Sequence, residues 1–145
     1  MIPLVFVYGL MGGSAQWDGQ VAGLPDVPVS AWDWPGYGKN SHMTACHDIV
    51  DFARWALDEL TRQNVARFHL LGHSMGGMIA QEMATLAPDR VERLVLYGTG
   101  VQGVLPGRFE TIETSKARVG TDGVLHTARR IAATWFLKCE QALGF

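Results

Sequence analysis

Short apolar runs along the chain predict buried β-strands. The clearest run, from Pro3 to Tyr8, contains no charged residue and ends at Gly9. A continuous apolar run of this length is typical of a strand buried on both faces, as in a parallel sheet. Pro28 weakens a second candidate strand, because proline cannot donate to a β-ladder. The further strands are predicted at 27–32, 68–71 and 94–97.

Helical periodicity separates these runs. From Asp48 to Gln63, apolar residues recur at helical spacing and the charged residues lie mostly elsewhere, which predicts an amphipathic helix. The segment from Met75 to Ala87 is apolar on most sides, as expected of a helix packed beside a sheet. A short helix is expected around Trp17, with Ser14 as its N-cap. Two more helical stretches are predicted at 108–119 and 122–138.

The order of these elements determines the predicted fold class. Strands alternate with helices over roughly the first 100 residues, which is the pattern of βαβ units. Such units build a mostly parallel sheet flanked by helices. Beyond Tyr97, glycines and prolines interrupt the pattern, and only helical stretches follow. We therefore predict an α/β protein.

Composition and charge narrow the classes of function. Hydrophobic residues make up 48% of the 145 positions and charged residues 18%, which excludes a disordered chain. The net charge of −2 provides no basic excess to neutralise phosphates, which argues against nucleic-acid binding. The two cysteines form no disulfide framework, and no apolar run is long enough to span a bilayer or resembles a signal peptide. We expect a cytoplasmic protein without membrane contact.

The strongest chemical signal is a G-x-S-x-G pattern from Gly72 to Gly76, with Ser74 at its centre. The pattern lies between a predicted strand and a predicted helix, where a sharp turn exposes a serine hydroxyl as a nucleophile. The following helix N-terminus offers free N–H groups that favour developing negative charge. The alternative interpretation is an ordinary glycine-rich turn in which the serine caps the helix.

Three segments, taken in chain order, resemble the α/β-hydrolase fold family. The first resembles the family's strand and oxyanion loop, although Tyr8 stands where the family usually has histidine. The second resembles the family's D-x-P-G-x-G-x-S loop with one inserted position before the serine. The third resembles the nucleophile elbow. These segments are 7–14 with Trp17, 33–41 and 72–77.

The resemblance implies a partial α/β-hydrolase core over 1–103 and the start of a helical cap over 104–145. It implies a nucleophilic Ser74, with the backbone N–H groups of Leu10 and Met75 as the oxyanion hole. Serine at the elbow is similar to esterase-, lactonase-, acyltransferase- and C–C-hydrolase-like members, whereas dehalogenases and epoxide hydrolases carry aspartate there. The implied reaction attacks an ester, lactone or related carbonyl through an acyl-enzyme.

The remaining triad members have no convincing candidate. His73 adjoins the nucleophile and is interpreted as a packing residue, while His69 falls inside a strand and is interpreted as a satisfied core or edge residue. Thr99 follows the fourth strand, where some relatives carry their acid, and it cannot replace a carboxylate. We therefore expect an N-terminal portion of a longer hydrolase that is inactive by itself. The other histidines are His42 and His47, in a loop, and His126, on a solvent-facing helix.

Other ligands are less well supported. A literal G-x-G-x-x-G spans 98–103, but a dinucleotide site needs a helix and a further strand with an acidic end, which do not follow. The segment 42–48 matches no structural zinc spacing. We expect no cofactor and no metal, a small-molecule substrate, and leave a homodimer open. A non-catalytic binding module of the same fold remains the rival function.

Overall fold

The computed structural model describes residues 1–103 and 110–135. The chain forms two compact units, 1–103 and 104–145. Parts of the predicted helical stretches, at 108–109 and 136–138, lie outside the described residues.

A parallel sheet of four strands organises the first unit. Its strands are β1 Leu4–Val7, β2 Val29–Ser30, β3 Phe68–His73 and β4 Val91–Tyr97. Their spatial order is β2-β1-β3-β4, so β1 and β3 occupy the centre and β2 and β4 form the edges. The predicted α/β architecture with a parallel sheet is confirmed.

Two strand boundaries differ from the sequence prediction. β2 has two residues, far fewer than the predicted 27–32. β4 begins three positions before Leu94, and its first residues include Glu92 and Arg93. Arg93 pairs with His69 of β3 in the ladder, and its side chain is exposed to solvent. An edge strand can therefore include polar residues. Hydrophobic pattern alone does not detect such residues, because backbone pairing rather than burial makes them part of the strand.

The helices of the first unit agree with the predicted positions. They are α1 Asp18–Ala22, α2 Ile49–Arg62 and α3 Met75–Leu86. Asp48 caps α2, and its carboxylate accepts a hydrogen bond of 2.9 Å from the Asp51 N–H. Helix α3 lies against the sheet and packs against α2.

Two further helices, α4 Ile112–Asp122 and α5 Val124–Ala133, belong to the second unit. In this unit Glu110 forms an ion pair with Arg130.

The core of the first unit lies between β1, β3 and the helices, and it is rich in aromatic rings. Trp34 is 1% exposed and packs edge-on against Phe52 and Trp55. Strand β4 is different, because its last four residues are all exposed. Successive strand residues point to opposite faces, so both faces of the sheet are exposed along β4. The largest fully buried aliphatic side chains among the described residues are Val5, Val7, Leu60, Leu70, Ile79 and Met83.

Candidate active site

Ser74 occupies the turn that joins β3 directly to α3, as predicted. Its backbone has φ 54 and ψ −124, one of three non-glycine residues with positive φ in the described part of the chain. The strand extends two residues beyond the predicted end at Leu71, so the turn consists of Ser74 alone. The turn is sharp because only Ser74 separates the end of the ladder from the first helical residue.

Hydrogen bonds to β4, to α3 and to the segment after β4 hold this strained backbone. The Ser74 N–H donates to the Tyr97 carbonyl oxygen at 3.1 Å. The Ser74 carbonyl oxygen accepts from the Gly77 N–H at 2.9 Å and from the Thr99 hydroxyl at 2.6 Å. Thr99 follows β4, and its hydroxyl supports the turn at Ser74. The backbone of Ser74 is therefore fully bonded.

Close packing of glycines brings the first loop against the elbow. A Cβ built on Gly9 would lie 2.8 Å from the Ser74 Cβ and 3.2 Å from its Oγ. A Cβ on Gly76 would clash with the carbonyl oxygens of Val7 and Tyr8. Because both contacts exclude a side chain, β1 and its loop approach Ser74 to backbone distance.

The two proposed oxyanion donors flank this contact. Met75 is the first residue of α3, so its N–H has no partner within the helix. Leu10 follows Gly9 in the loop after β1. Across 1–103 and 110–135, neither N–H donates a hydrogen bond. Both groups are thus available to a substrate, and their role in an oxyanion hole stays a prediction.

A buried carboxylate, Asp33, joins two loops beside the site. Its Oδ1 accepts the Ser14 N–H at 2.7 Å, and its Oδ2 accepts the Lys39 N–H at 2.9 Å. Burial raises the pKa of this carboxyl, but the hydrogen bonds and the Lys39 charge outweigh it and hold the pKa below its usual value. Ser14 was expected to cap the first helix. That expectation is wrong: Gly13 holds the N-cap position, and the N–H of Ser14 is bound to Asp33.

Tyr8, which stands where the family usually has histidine, also joins these segments. Its hydroxyl accepts a hydrogen bond of 2.9 Å from the Trp34 N–H. Burial raises the pKa of Tyr8 to about 12, so the phenol stays neutral. Sequence reasoning treated this position as a departure from the motif. A tyrosine hydroxyl that is buried usually has a hydrogen-bond partner. The position of Tyr8 at the end of an apolar strand could therefore have indicated that its hydroxyl forms a hydrogen bond.

His73 packs beside the elbow, in agreement with its interpretation as a packing residue. Its ring lies 5.2 Å from the Tyr97 ring at 31°, and its Nδ1 is 3.2 Å from the Gln16 Nε2. Burial lowers the pKa of the imidazole, which favours its neutral form. Gln16 was not identified from the sequence, since a surface glutamine carries no recognisable pattern.

The remaining histidines do not complete a triad. His69 lies in the central strand β3, and within the described residues its buried Nδ1 has no hydrogen-bond partner. The expectation of a satisfied core or edge residue is therefore wrong for His69: its strand is central because β4 pairs outside β3, and its Nδ1 is not satisfied among the described residues. His42, His47 and His126 are exposed. Over the ranges that the structure describes, the Ser74 hydroxyl forms no hydrogen bond to an imidazole or carboxylate.

The described ranges contain no group of three or more histidine, cysteine, aspartate or glutamate side chains placed to hold a metal ion. Within those ranges no helix has the length and hydrophobicity needed to cross a membrane.

Comparison with known proteins identifies the family. A family model described as the alpha/beta hydrolase fold matches residues 2–122. The 2-succinyl-6-hydroxy-2,4-cyclohexadiene-1-carboxylate synthase of Enterobacter sp. is 34% identical over 119 residues, 82% of this chain and 43% of that protein. The (E)-2-((N-methylformamido)methylene)succinate hydrolase of Acinetobacter baylyi is 30% identical over 116 residues, 79% of this chain and 44% of that protein. The chain spans less than half the length of these relatives.

A solved structure shows the same fold. A thermophilic esterase from Thermogutta terrifontis matches with a TM-score of 0.76 and 22% identity, covering 90% of this chain and 48% of that chain. The likeness at this identity is one of fold. The family model extends over most of the chain, and the four-stranded parallel sheet flanked by helices is consistent with it. The chain therefore belongs to the α/β-hydrolase fold family.

Proposed function

We propose that this chain carries the nucleophile and the oxyanion site of a serine hydrolase that acts on an ester, a lactone or a related carbonyl compound. The observation that carries the proposal is the backbone of Ser74, with φ 54 on a one-residue turn. Such a conformation costs roughly 1–3 kcal/mol and concentrates at functional sites. A relative that is named as a hydrolase supports the reaction class.

The reaction would proceed through an acyl-enzyme. The Ser74 Oγ attacks the acyl carbon, a new C–O bond forms, and the carbonyl π electrons move onto the oxygen. The N–H groups of Leu10 and Met75 donate to that oxyanion. The alcohol then leaves with the electron pair of its C–O bond and a proton, and water hydrolyses the acyl-enzyme.

The serine proton must pass to a base in this reaction. Within 1–103 and 110–135, no imidazole or carboxylate is hydrogen-bonded to the Ser74 hydroxyl. The proposal therefore assigns no general base among the described residues. A serine hydroxyl without a base is a weak nucleophile at neutral pH, so we expect slow acylation of the chain 1–145.

The identity of the nucleophile supports the proposed substrate class more strongly than the names of the relatives do. One relative is named as a synthase and the other as a hydrolase, so membership in the family admits more than one reaction. Serine at the elbow favours acyl transfer over the alkyl chemistry of aspartate nucleophiles. A small-molecule carbonyl substrate is the proposal that fits this residue.

Covalent labelling tests the nucleophile. The purified chain is incubated with a fluorophosphonate probe, and the modified peptide is identified by mass spectrometry. We expect slow labelling confined to Ser74, lost in Ser74→Ala and retained in the control Ser41→Ala, whose serine is exposed in a loop. Labelling at other serines, or labelling of Ser74→Ala to the same extent as wild type, would contradict the assignment of Ser74 as the nucleophile.

A non-catalytic binding module is the second candidate function. It is favoured by one observation, the lack of a base bonded to Ser74 within the described ranges. The two functions differ in the fate of Ser74 after long exposure to the probe. A chain that binds carbonyl ligands but never becomes labelled would support the binding module.

A further inference from the structure

We propose that Asp33 is a positioning residue, which together with the neighbouring Trp34 holds the loop 9–13 against the Ser74 elbow. The inference rests on the proposed function, because it concerns the loop that carries the proposed oxyanion donor Leu10. It adds a residue that the motifs do not assign a role in the reaction.

The loop is tied at both of its ends by two consecutive residues. Before the loop, the Tyr8 hydroxyl accepts the Trp34 N–H at 2.9 Å. After the loop, the Ser14 N–H donates to Asp33 Oδ1 at 2.7 Å. Since Asp33 and Trp34 adjoin in the chain, one short segment determines the distance between the two ends of the loop.

Asp33 is itself held in place from the other side. Its Oδ2 accepts the Lys39 N–H at 2.9 Å, and its backbone carbonyl oxygen accepts the Asn40 Nδ2 at 2.6 Å. Gly38 lies directly against the carboxylate at φ +45, so a Cβ at this position would clash with Oδ2. The side chain is buried, with the residue 8% exposed. Packing and hydrogen bonds therefore leave the carboxylate one position.

The consequence for the reaction is geometric. Inside the loop, the Gly12 N–H donates to the Gly9 carbonyl oxygen at 3.1 Å, which closes a tight turn around Leu10. Gly9 lies against the Ser74 side chain. If the Ser14 end were released, the turn could move relative to Ser74, and a displacement of about 1 Å can lower a rate by about 10²-fold.

The test compares Asp33→Asn with Asp18→Asn, which removes an exposed carboxylate from α1. Asparagine keeps the shape but replaces one acceptor oxygen with a donor, so it cannot accept both N–H groups. We expect the maximal rate of Ser74 phosphonylation by the fluorophosphonate probe to fall about 10–100-fold in Asp33→Asn. The probe concentration at half-maximal rate should stay unchanged, because probe affinity is not affected. Asp18→Asn should behave as wild type in both quantities.

Amide hydrogen exchange supplies a second measurement that needs no reaction. In Asp33→Asn the exchange rate of the Gly12 amide should increase at least about tenfold, while the exchange rate of the amide of the buried core residue Leu60 stays at the wild-type value. Equal acceleration at both positions would mean general destabilisation and would overturn the proposal. Unchanged Gly12 exchange would overturn it as well. If wild-type Ser74 is never labelled, the proposed function fails, and the exchange result still decides the role of Asp33.

A second variant guards against misfolding of Asp33→Asn. Ser14→Pro removes the N–H that binds Asp33 Oδ1 and puts the proline Cδ in the place of its hydrogen, so the carboxylate must move away from this end of the loop. The backbone itself accepts proline here, because Gly13 is extended, at φ −161 and ψ 168, and because Ser14 begins a helical turn. We expect the same fall in phosphonylation rate and the same acceleration of Gly12 exchange. Wild-type values for both would contradict the proposal.

Discussion

At the scale of single residues, the site depends on buried or half-buried polar groups that all have hydrogen-bond partners. The Tyr8 hydroxyl, the Asp33 carboxylate and the Thr99 hydroxyl all bind backbone atoms of other segments. A buried group that loses its partner pays the full cost of its desolvation, about 1–3 kcal/mol. Substitutions at these positions should therefore have effects that depend on the lost hydrogen bond more than on volume.

Tyr8→Phe should lower the free energy of unfolding by about 1–3 kcal/mol. The substitution leaves the ring in place and removes the acceptor of the Trp34 N–H, in a residue that is 1% exposed. Urea denaturation followed by tryptophan fluorescence measures the change. Tyr97→Phe is the control, because it also removes a hydroxyl and keeps the ring, but at a residue that is 64% exposed. An equal effect of the two substitutions would contradict the explanation.

The lowered pKa of Asp33 predicts that the fold loses stability in acid. Its folded-state pKa is lower than the ordinary 3.8, since hydrogen bonds outweigh burial. A depressed pKa stabilises the fold fully above the unfolded-state value, and this stability is lost as the pH falls through the folded value. The free energy of unfolding of wild type should therefore decline below about pH 4, and this decline should be smaller in Asp33→Asn. Urea denaturation between about pH 5 and pH 3 tests it, with Asp26→Asn, an exposed loop carboxylate, keeping the wild-type slope.

At the scale of elements, contacts between chain-distant segments hold the helices on the sheet. Arg90, which precedes β4, reaches the end of α2 and the segment that leads into β3. Its guanidinium donates to the Val65 carbonyl oxygen at 2.7 Å, to the Ala66 carbonyl oxygen at 3.2 Å and to the Thr61 hydroxyl at 3.2 Å. The same group lies 5.6 Å from the centre of the Phe68 ring. One side chain thus joins three elements.

Arg90→Met should destabilise the first unit by about 1–3 kcal/mol, because it removes the donor to three backbone carbonyl groups while keeping an apolar stem. The measurement is the free energy of unfolding from urea denaturation. The matched control is Arg54→Met, which changes an exposed arginine on α2. A loss as large in the control would assign the effect to charge and not to the contacts of Arg90.

At the scale of the whole molecule, the sheet has two very different edges. β2 has two residues, whereas β4 has seven and ends in exposed apolar side chains. A long apolar edge strand presents unpaired backbone groups and is a site of association between chains. A homodimer or larger assembly through β4 is therefore a proposal that the exposed edge supports.

Val95→Lys should reduce self-association of the chain. Val95 is 50% exposed on β4, and a lysine on an edge strand opposes pairing by its charge and hydration. Sedimentation velocity over a range of concentrations should show wild-type chains that associate and a variant that stays smaller. Val119→Lys on α4, where the valine is 42% exposed, should associate like wild type. Association of Val95→Lys to the same extent as wild type would exclude the β4 edge.

Ester turnover by the chain 1–145 should be slow. Because no base is hydrogen-bonded to Ser74 among residues 1–103 and 110–135, its hydroxyl is little activated. The rate of p-nitrophenyl acetate hydrolysis should therefore differ little between wild type and Ser74→Ala. Product absorbance over time measures both. Rapid turnover that disappears in Ser74→Ala would reveal a base that the described contacts do not show, and His42→Ala and His126→Ala would then be tested first.

The sequence by itself determined the class of fold and the place of the elbow. Apolar runs and helical periodicity are local signals, so they identified the strands around Phe6 and Leu70 and the helices α2 and α3 without knowledge of neighbours. The glycines around Ser74 predicted a sharp turn for the same reason, since steric limits act within a few residues.

Only the tertiary structure decided which segments touch. The edge position and length of β4 depend on backbone pairing with β3, and sequence pattern cannot separate an edge from a centre. The bonds of Asp33 and Tyr8 join residues 19 and 26 positions apart, and no local pattern specifies such partners. Ser14 illustrates the difference. Its residue type favoured a helix cap, but in the structure its N–H donates to the carboxylate of Asp33, which is distant in the chain. Hydrogen bonds between distant segments form only when folding brings their ends together, so they are properties of the fold and not of any short stretch of chain.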